Sequence, residues 1–283
     1  MRARDHGITI GTGMPGRFNA ITDVDGVQVG HTTLIEGDGA LRVGHGPVRT
    51  GVTVILPPGS IWELPVFAGC HRLNGNGELT GLEWIRESGM LTSPIGLTNT
   101  HSVGVVRDAL IADEVRERGP DAGHFWGLPV VGETWDGLLN DLNGFHIRPE
   151  HVHAAIESAG DGPVAEGSVG SGTGMICHGF KGGIGTASRV RPQNEGAFTV
   201  GVLVQANHGR RERLAVNGFP AGRDIGPDEI PLPVDPGDVA AGSGSIIVIV
   251  ATDAPLLPTQ CAPGAASRAR RCACRRRRRA HER

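Results

Sequence analysis

Residues 241–250 read Ala241-Gly242-Ser243-Gly244-Ser245-Ile246-Ile247-Val248-Ile249-Val250. Five small residues run directly into five β-branched ones. The first half favours a pliant backbone, and the second predicts a strand. Because the apolar run does not alternate, that strand is expected to be covered on both faces. A serine at such a junction carries its hydroxyl on a rigid element, while the glycine before it can take backbone conformations closed to other residues. A peptide bond strained in this way is open to attack by the neighbouring hydroxyl. Attack of Ser245 Oγ on the Gly244 carbonyl would give an ester, and hydrolysis of the ester would free the Ser245 α-amine. Such an amine has a reference pKa of about 7.7–8.0, against about 10.4 for lysine. Near pH 7.5 roughly a third of it is neutral, so it can act as the base for its own hydroxyl. On spacing alone, a Gly-Ser-Gly-Ser segment before a strand is equally just a loop.

Working outward, strands and helices interleave through residues 1–260, which are read as one layered domain. Val52 to Leu56, closed by Pro57-Pro58, predicts a strand. Phe198 to Gln205 alternates with period two and predicts a strand ending near Asn207. Leu79 to Glu87, stopped by Gly89, predicts a helix. So does Ser102 to Arg118, with Val105, Val106, Ala109, Leu110, Ala112 and Val115 on one face and Gly119-Pro120 as its stop. Pro149 opens a further helix with Val152, Ala155 and Ile156 inward and Gly160 at its end.

The chain has 283 residues, 45 of them glycine, and no tyrosine, so many positions allow backbone to approach backbone. No apolar run nears the roughly 20 residues that span a bilayer, and residues 1–13 lack the apolar core of a signal peptide. The expected location is cytoplasmic, with no membrane partner. Charge is divided unevenly. Residues 261–283 hold nine Arg and one Glu, which leaves residues 1–260 at about −11 within an overall net charge of −3. This tail has no periodicity. It is expected to be disordered or the product of a shifted frame in GC-rich coding DNA, the alternative being a polybasic arm for nucleic acid. Neither Cys70-His71 nor Cys177-His178 has a second cysteine at zinc spacing, so no metal is expected. Gly170-Ser-Gly-Thr-Gly174 and Gly182-Gly-Ile-Gly185 do not fit dinucleotide or Walker spacing and read as tight turns, so no cofactor is expected.

The segment Gly244-Ser-Ile-Ile-Val-Ile-Val-Ala-Thr-Asp-Ala-Pro-Leu-Leu-Pro258 closely resembles the nucleophile strand of the DmpA-type aminopeptidases, which include L-aminopeptidase/D-esterases and β-peptidyl aminopeptidases. Further blocks resemble that family in family order: Ile21-Thr-Asp-Val-Asp-Gly-Val-Gln-Val-Gly-His31, Asn74-Gly-Asn-Gly-Glu-Leu-Thr-Gly81, Thr98-Asn-Thr-His-Ser-Val-Gly-Val-Val-Arg-Asp108, Glu133-Thr-Trp-Asp-Gly137, Gly170-Ser-Gly-Thr-Gly-Met175, Lys181-Gly-Gly-Ile-Gly-Thr-Ala-Ser-Arg189 and Val204-Gln-Ala-Asn-His-Gly209. The resemblance covers nearly all of residues 20–260. It implies an α+β fold, a four-layer αββα sandwich of the N-terminal-nucleophile hydrolase kind, with self-cleavage between Gly244 and Ser245 and a homotetramer. The implied activity is release of N-terminal residues from small peptides, amides or esters bearing a free amine. By position, Ser245 is the implied nucleophile and Gly244 the last residue of the α chain. Asn207 is the implied oxyanion-hole donor, and Glu133 the acid that meets the substrate ammonium.

One departure stands out. The family carries a Ser-Gly-acidic motif some tens of residues past the nucleophile strand, and no such motif follows Gln260 here. A truncated, inactive relative is therefore an alternative reading. An ornithine acetyltransferase-like acyltransferase is another, although that family has threonine where Ser245 stands.

Overall fold

The computed structural model describes residues 2–192, 194, 196–233 and 244–262. Expectations that fall on residues 241–243 and 263–283 lie outside them. The strands are β1 (Gln28–Glu36), β2 (Val48–Leu56), β3 (Val66–Phe67), β4 (Met90–Leu91), β5 (Ile95–Asn99), β6 (Val130–Thr134), β7 (Ile176–Cys177), β8 (Phe180–Lys181), β9 (Gly183–Val190), β10 (Thr199–Asn207) and β11 (Ser245–Thr252). The longer helices are α1 (Leu82–Ser88), α2 (Val103–Arg118) and α3 (Pro149–Glu157).

Two sheets dominate. One has the order β1-β2-β5-β6, antiparallel except for the β5–β6 pair, and the other is an antiparallel β11-β10-β9. Val103, Val106 and Leu110 of α2, with Val152 and Ala155 of α3, pack on Val52, Val54 and Val131 of the first sheet. The opposite face of that sheet presents Val29, Ile55, Leu97 and Val130 to Ile184, Leu203, Ile247 and Ile249 of the second. The described layers therefore run helix, sheet, sheet. β2 is central and buried on both sides, which is what its unbroken β-branched run demands.

Three sequence expectations shift. In α2 the buried positions are Val103, Val106, Ala109, Leu110 and Asp113, while Ala112 and Val115 are exposed. The helix is apolar over more than half its circumference, and the buried polar Asp113, held by Arg116 and His153, marks the inner face instead. Helix α1 starts three residues later than Leu79. Thr80 exchanges hydrogen bonds with Val131 of β6, and Gly81 turns left-handed. Strand β11 is not covered on both faces: Val248 and Val250 are 45% and 42% exposed. β11 sits at the edge of its sheet, and Ile247, Ile249 and Ala251 are the residues packed against the core. In β10 the buried residues are Thr199, Gly201, Leu203 and Gln205, and the valines between them are half-buried.

α3 lies so close to β1 that a Cβ on Gly30 would stand 1.9 Å from the Ala155 carbonyl oxygen. Gly30→Ala must push helix from strand. A loss of about 1–3 kcal/mol is expected, read as a lower denaturant midpoint and a melting temperature lowered by about 2–4 °C per kcal/mol in a protein of this size.

Candidate active site

Register places the site. β10 and β11 pair antiparallel so that Asn207 stands opposite Ser245, the last residue of one strand against the first of the other. The Asn207 amide is oriented by its neighbours. Its Oδ1 accepts from the Ile176 amide at 2.9 Å, which directs Nδ2 towards the Trp135 carbonyl at 2.7 Å and Ser245 Oγ at 3.2 Å. The Trp135 amide also donates to Ser245 Oγ, at 3.3 Å. Two N–H donors from different elements thus converge on one hydroxyl. Gly244, immediately before it, has φ +140°, a conformation that residues with a Cβ rarely adopt.

Trp135 follows the end of β6, and β6 is brought here by sheet stacking. A Cβ on Gly132 would sit 3.3 Å from Ile247, so glycine lets β6 approach β11. Gln205 ties the sheets together: its Nε2 donates to the Thr134 hydroxyl at 2.6 Å and to the Thr98 carbonyl at 3.1 Å, with its side chain fully buried.

Glu133 is buried on β6, two residues before Trp135. Neutral donors hold both of its oxygens, the Glu78 amide at 3.0 Å on one and the Thr100 hydroxyl on the other. Ser245, Asn207 and Gly244 are thus brought together. Glu133 lies two residues before Trp135 on the same strand, and its carboxylate accepts from Glu78 and Thr100 rather than from Ser245. A recess of about 140 Å³ opens beside Trp135, lined by Leu41, Val43, Gly137 and Leu142 among others.

Asp136, next in the chain, was not singled out in the sequence. It is 1% exposed among Thr50, Asn99 and Asn140, and burial pushes its carboxyl up to about 6. His31 is the counterpart: burial pushes its imidazole down to about 4. The two have opposite linkage. With its folded value raised, Asp136 stabilises the fold fully below pH 3.8, and that contribution is lost as pH rises through about 6. With its folded value depressed, His31 costs stability as pH falls from 6.5 towards 4. Asp136→Asn is expected to gain on the order of 2–3 kcal/mol over the parent above pH 6 and little below pH 4, read as urea midpoints across that range.

A serine heading a strand behind a glycine at positive φ, between two stacked sheets, is an arrangement that fits the fold of an N-terminal-nucleophile hydrolase. A solved structure of that fold bears this out. The L-aminopeptidase D-Ala-esterase/amidase of Ochrobactrum anthropi, described as a variant of the Ntn hydrolase fold, superposes with a TM-score of 0.80 at 45% identity, over 92% of this chain and 69% of that one. The model of peptidase family S58 matches residues 19–277, a span that runs into the arginine-rich segment, and the chain belongs to that family. A Burkholderia sp. beta-aminopeptidase structure matches at 56% identity and a TM-score of 0.81, over 93% of this chain and 69% of that one. The beta-peptidyl aminopeptidase BapA of Sphingosinicella microcystinivorans is 52% identical over 266 residues, 92% of this chain. This chain spans 66% of that relative's length. No helix among the described residues is long and apolar enough to cross a membrane.

Proposed function

We propose that this protein is a self-processing serine aminopeptidase whose nucleophile is Ser245. The observation that carries the reading is the convergence of Asn207 Nδ2 and the Trp135 amide on Ser245 Oγ. In the first reaction the Ser245 hydroxyl attacks the Gly244 carbonyl carbon and the C–N bond breaks, leaving an ester on Oγ and a free Ser245 amine. Water then cleaves the ester and releases Gly244 as a carboxylate. In turnover the amine takes the hydroxyl proton as Oγ attacks the substrate carbonyl, then gives it to the leaving amine, and water hydrolyses the acyl ester left on Oγ to release the carboxylate and restore the hydroxyl. Negative charge on the carbonyl oxygen is met by the two N–H donors, already oriented before reaction and so requiring little reorganisation.

Glu133 supports the exopeptidase half of the reading. A buried carboxylate held only by neutral donors retains room for a charge-assisted bond to a substrate ammonium. The proposed substrates are small peptides, amides or esters with a free amine. The relatives named beta-peptidyl aminopeptidase or L-aminopeptidase D-Ala-esterase/amidase support the same substrate class. The proposal includes a homotetramer of αββα subunits, in which a second helical layer would cover the valine face of β10 and β11.

The test is hydrolysis of an aminoacyl p-nitroanilide and its N-acetyl derivative by purified protein. The free-amine substrate should be cleaved and the blocked one not. Glu133→Gln should reduce kcat/KM on the free-amine substrate by roughly 10–100-fold, the worth of a hydrogen bond to a charged group. Equal rates on both substrates would overturn the aminopeptidase assignment.

A further inference from the structure

β7 and β8 form a hairpin whose two turn residues, His178 and Gly179, both have positive φ, at 53° and 72°. Asparagine, aspartate and glycine are the usual residues in such a turn, and histidine there is uncommon. The hairpin is pinned to the segment that follows β10. The His178 amide donates to the His208 carbonyl at 2.8 Å, and His178 Nδ1 donates to the Arg210 carbonyl at 3.0 Å. Gly209, at φ +90°, makes room for the ring: a Cβ there would lie 2.5 Å from the imidazole. The result brings Cys177, His178 and His208 together, with one donor atom of each within 4.8 Å of the other two. The two imidazoles meet edge to face, with ring centroids 5.4 Å apart.

We propose that Cys177, His178 and His208 form a Zn²⁺ site with three protein ligands and one open position. The donor set selects the ion, because one thiolate and two imidazoles suit zinc and not the oxygen-seeking Mg²⁺ or Ca²⁺. The tautomer of His178 is already set. A ring nitrogen facing a carbonyl must carry the proton, so Nδ1–H is spent on Arg210 and Nε2 keeps its lone pair. A backbone-held imidazole of this kind is the usual orienting arrangement around zinc. Tetrahedral donors at bond lengths of about 2.0–2.3 Å stand about 3.3–3.6 Å apart. Donor atoms up to 4.8 Å apart must close by roughly 1 Å to hold the ion, and His208 moves towards the hairpin to do so. The Cys177 thiol is raised by burial and lowered by the His208 amide that hydrogen-bonds to it, and zinc must displace its proton.

The location gives the ion a consequence. His208 directly follows Asn207, and a Cβ on Gly244 would lie 3.3 Å from His208 Cα. Closing the ligands on zinc draws His208 towards the hairpin and pulls the Asn207 amide from Ser245. Bound zinc is therefore a reversible inhibitor. This coupling rests on the proposed hydrolysis, whereas the binding does not.

The full chain, and the Ser245→Ala chain, would be titrated with Zn²⁺ after metal stripping, with bound metal counted by elemental analysis. Co²⁺ substitution reports sulfur ligation through a thiolate-to-metal absorption band. Cys177→Ser keeps the shape of the side chain, and His178→Asn keeps a residue that tolerates the left-handed turn. Both variants should bind one equivalent fewer than the parent and lose the Cys177 contribution to the band, with unchanged circular dichroism and melting temperature of the metal-free protein. The tail cysteines stay in every variant, so equal stoichiometry in parent and variants overturns the site, as does absence of binding in all. In the activity arm, Zn²⁺ should slow hydrolysis by the parent at least tenfold more than by Cys177→Ser. Equal inhibition of the two overturns the coupling to Asn207 and leaves the binding result to stand by itself.

Discussion

Ser245→Ala protein is expected to run as one uncut chain, whereas the parent separates into a 244-residue piece and a 39-residue piece that begins with Ser245. The substitution removes the proposed nucleophile. It also prevents formation of the terminal amine, so nucleophile and base are lost together. Residues that act as a unit fail as a unit, and loss of a serine nucleophile costs on the order of 10⁶ in turnover. The Ser245 hydroxyl accepts from Asn207 and Trp135, yet it is partly exposed at a strand end, so folding should be little affected. Intact mass, N-terminal sequencing and a p-nitroanilide assay decide the matter. An active preparation with the Gly244–Ser245 bond intact would sink the mechanism. A parent chain that stays uncut while Ser245→Ala behaves identically would show that processing requires parts of the longer relatives.

Asn207→Ala is expected to lower kcat by about 10²–10³ with little change in KM, because a donor aimed at the developing oxyanion acts in the transition state and not on bound substrate. Alanine also strands the Ile176 amide, which now donates to Asn207 Oδ1. Asn207→Asp separates the two effects. It keeps an oxygen for Ile176 but replaces the Nδ2 donor with a second acceptor. If the donor matters, aspartate should be at least as poor as alanine. If aspartate retains near-parental turnover, Asn207 serves only to hold the Ile176 hairpin, and the oxyanion assignment falls.

Much of this architecture was legible along the chain. Gly119-Pro120 stops α2 and Pro149 opens α3 as the sequence says, although α3 ends at Glu157 and Gly160 bridges to Val29 of β1 instead of capping it, and the β-branched runs became β2 and β11. The site was partly legible. Asn207 ends an alternating run and Ser245 begins an unbroken one, and a register that pairs strand end with strand start joins them. Other parts were not legible because the signals do not exist in one dimension. The Trp135 donor is a backbone amide, which nearly every residue possesses. The burial of Asp136 and the choice of Gln205 over the neighbouring valines as the inner residue of β10 depend on which side the second sheet lies.

The sequence by itself determined that a serine would head a rigid strand behind a glycine, and that strands and helices would alternate through the first 260 residues. Those are matters of local propensity, settled by each residue's own backbone and branching. Only the tertiary structure decided which donors face that serine, which face of β11 meets the core, and that His208 joins Cys177 and His178. These depend on approaches between residues 31 to 110 positions apart. No local preference specifies such approaches. They follow from burying two apolar sheet faces against each other in one register.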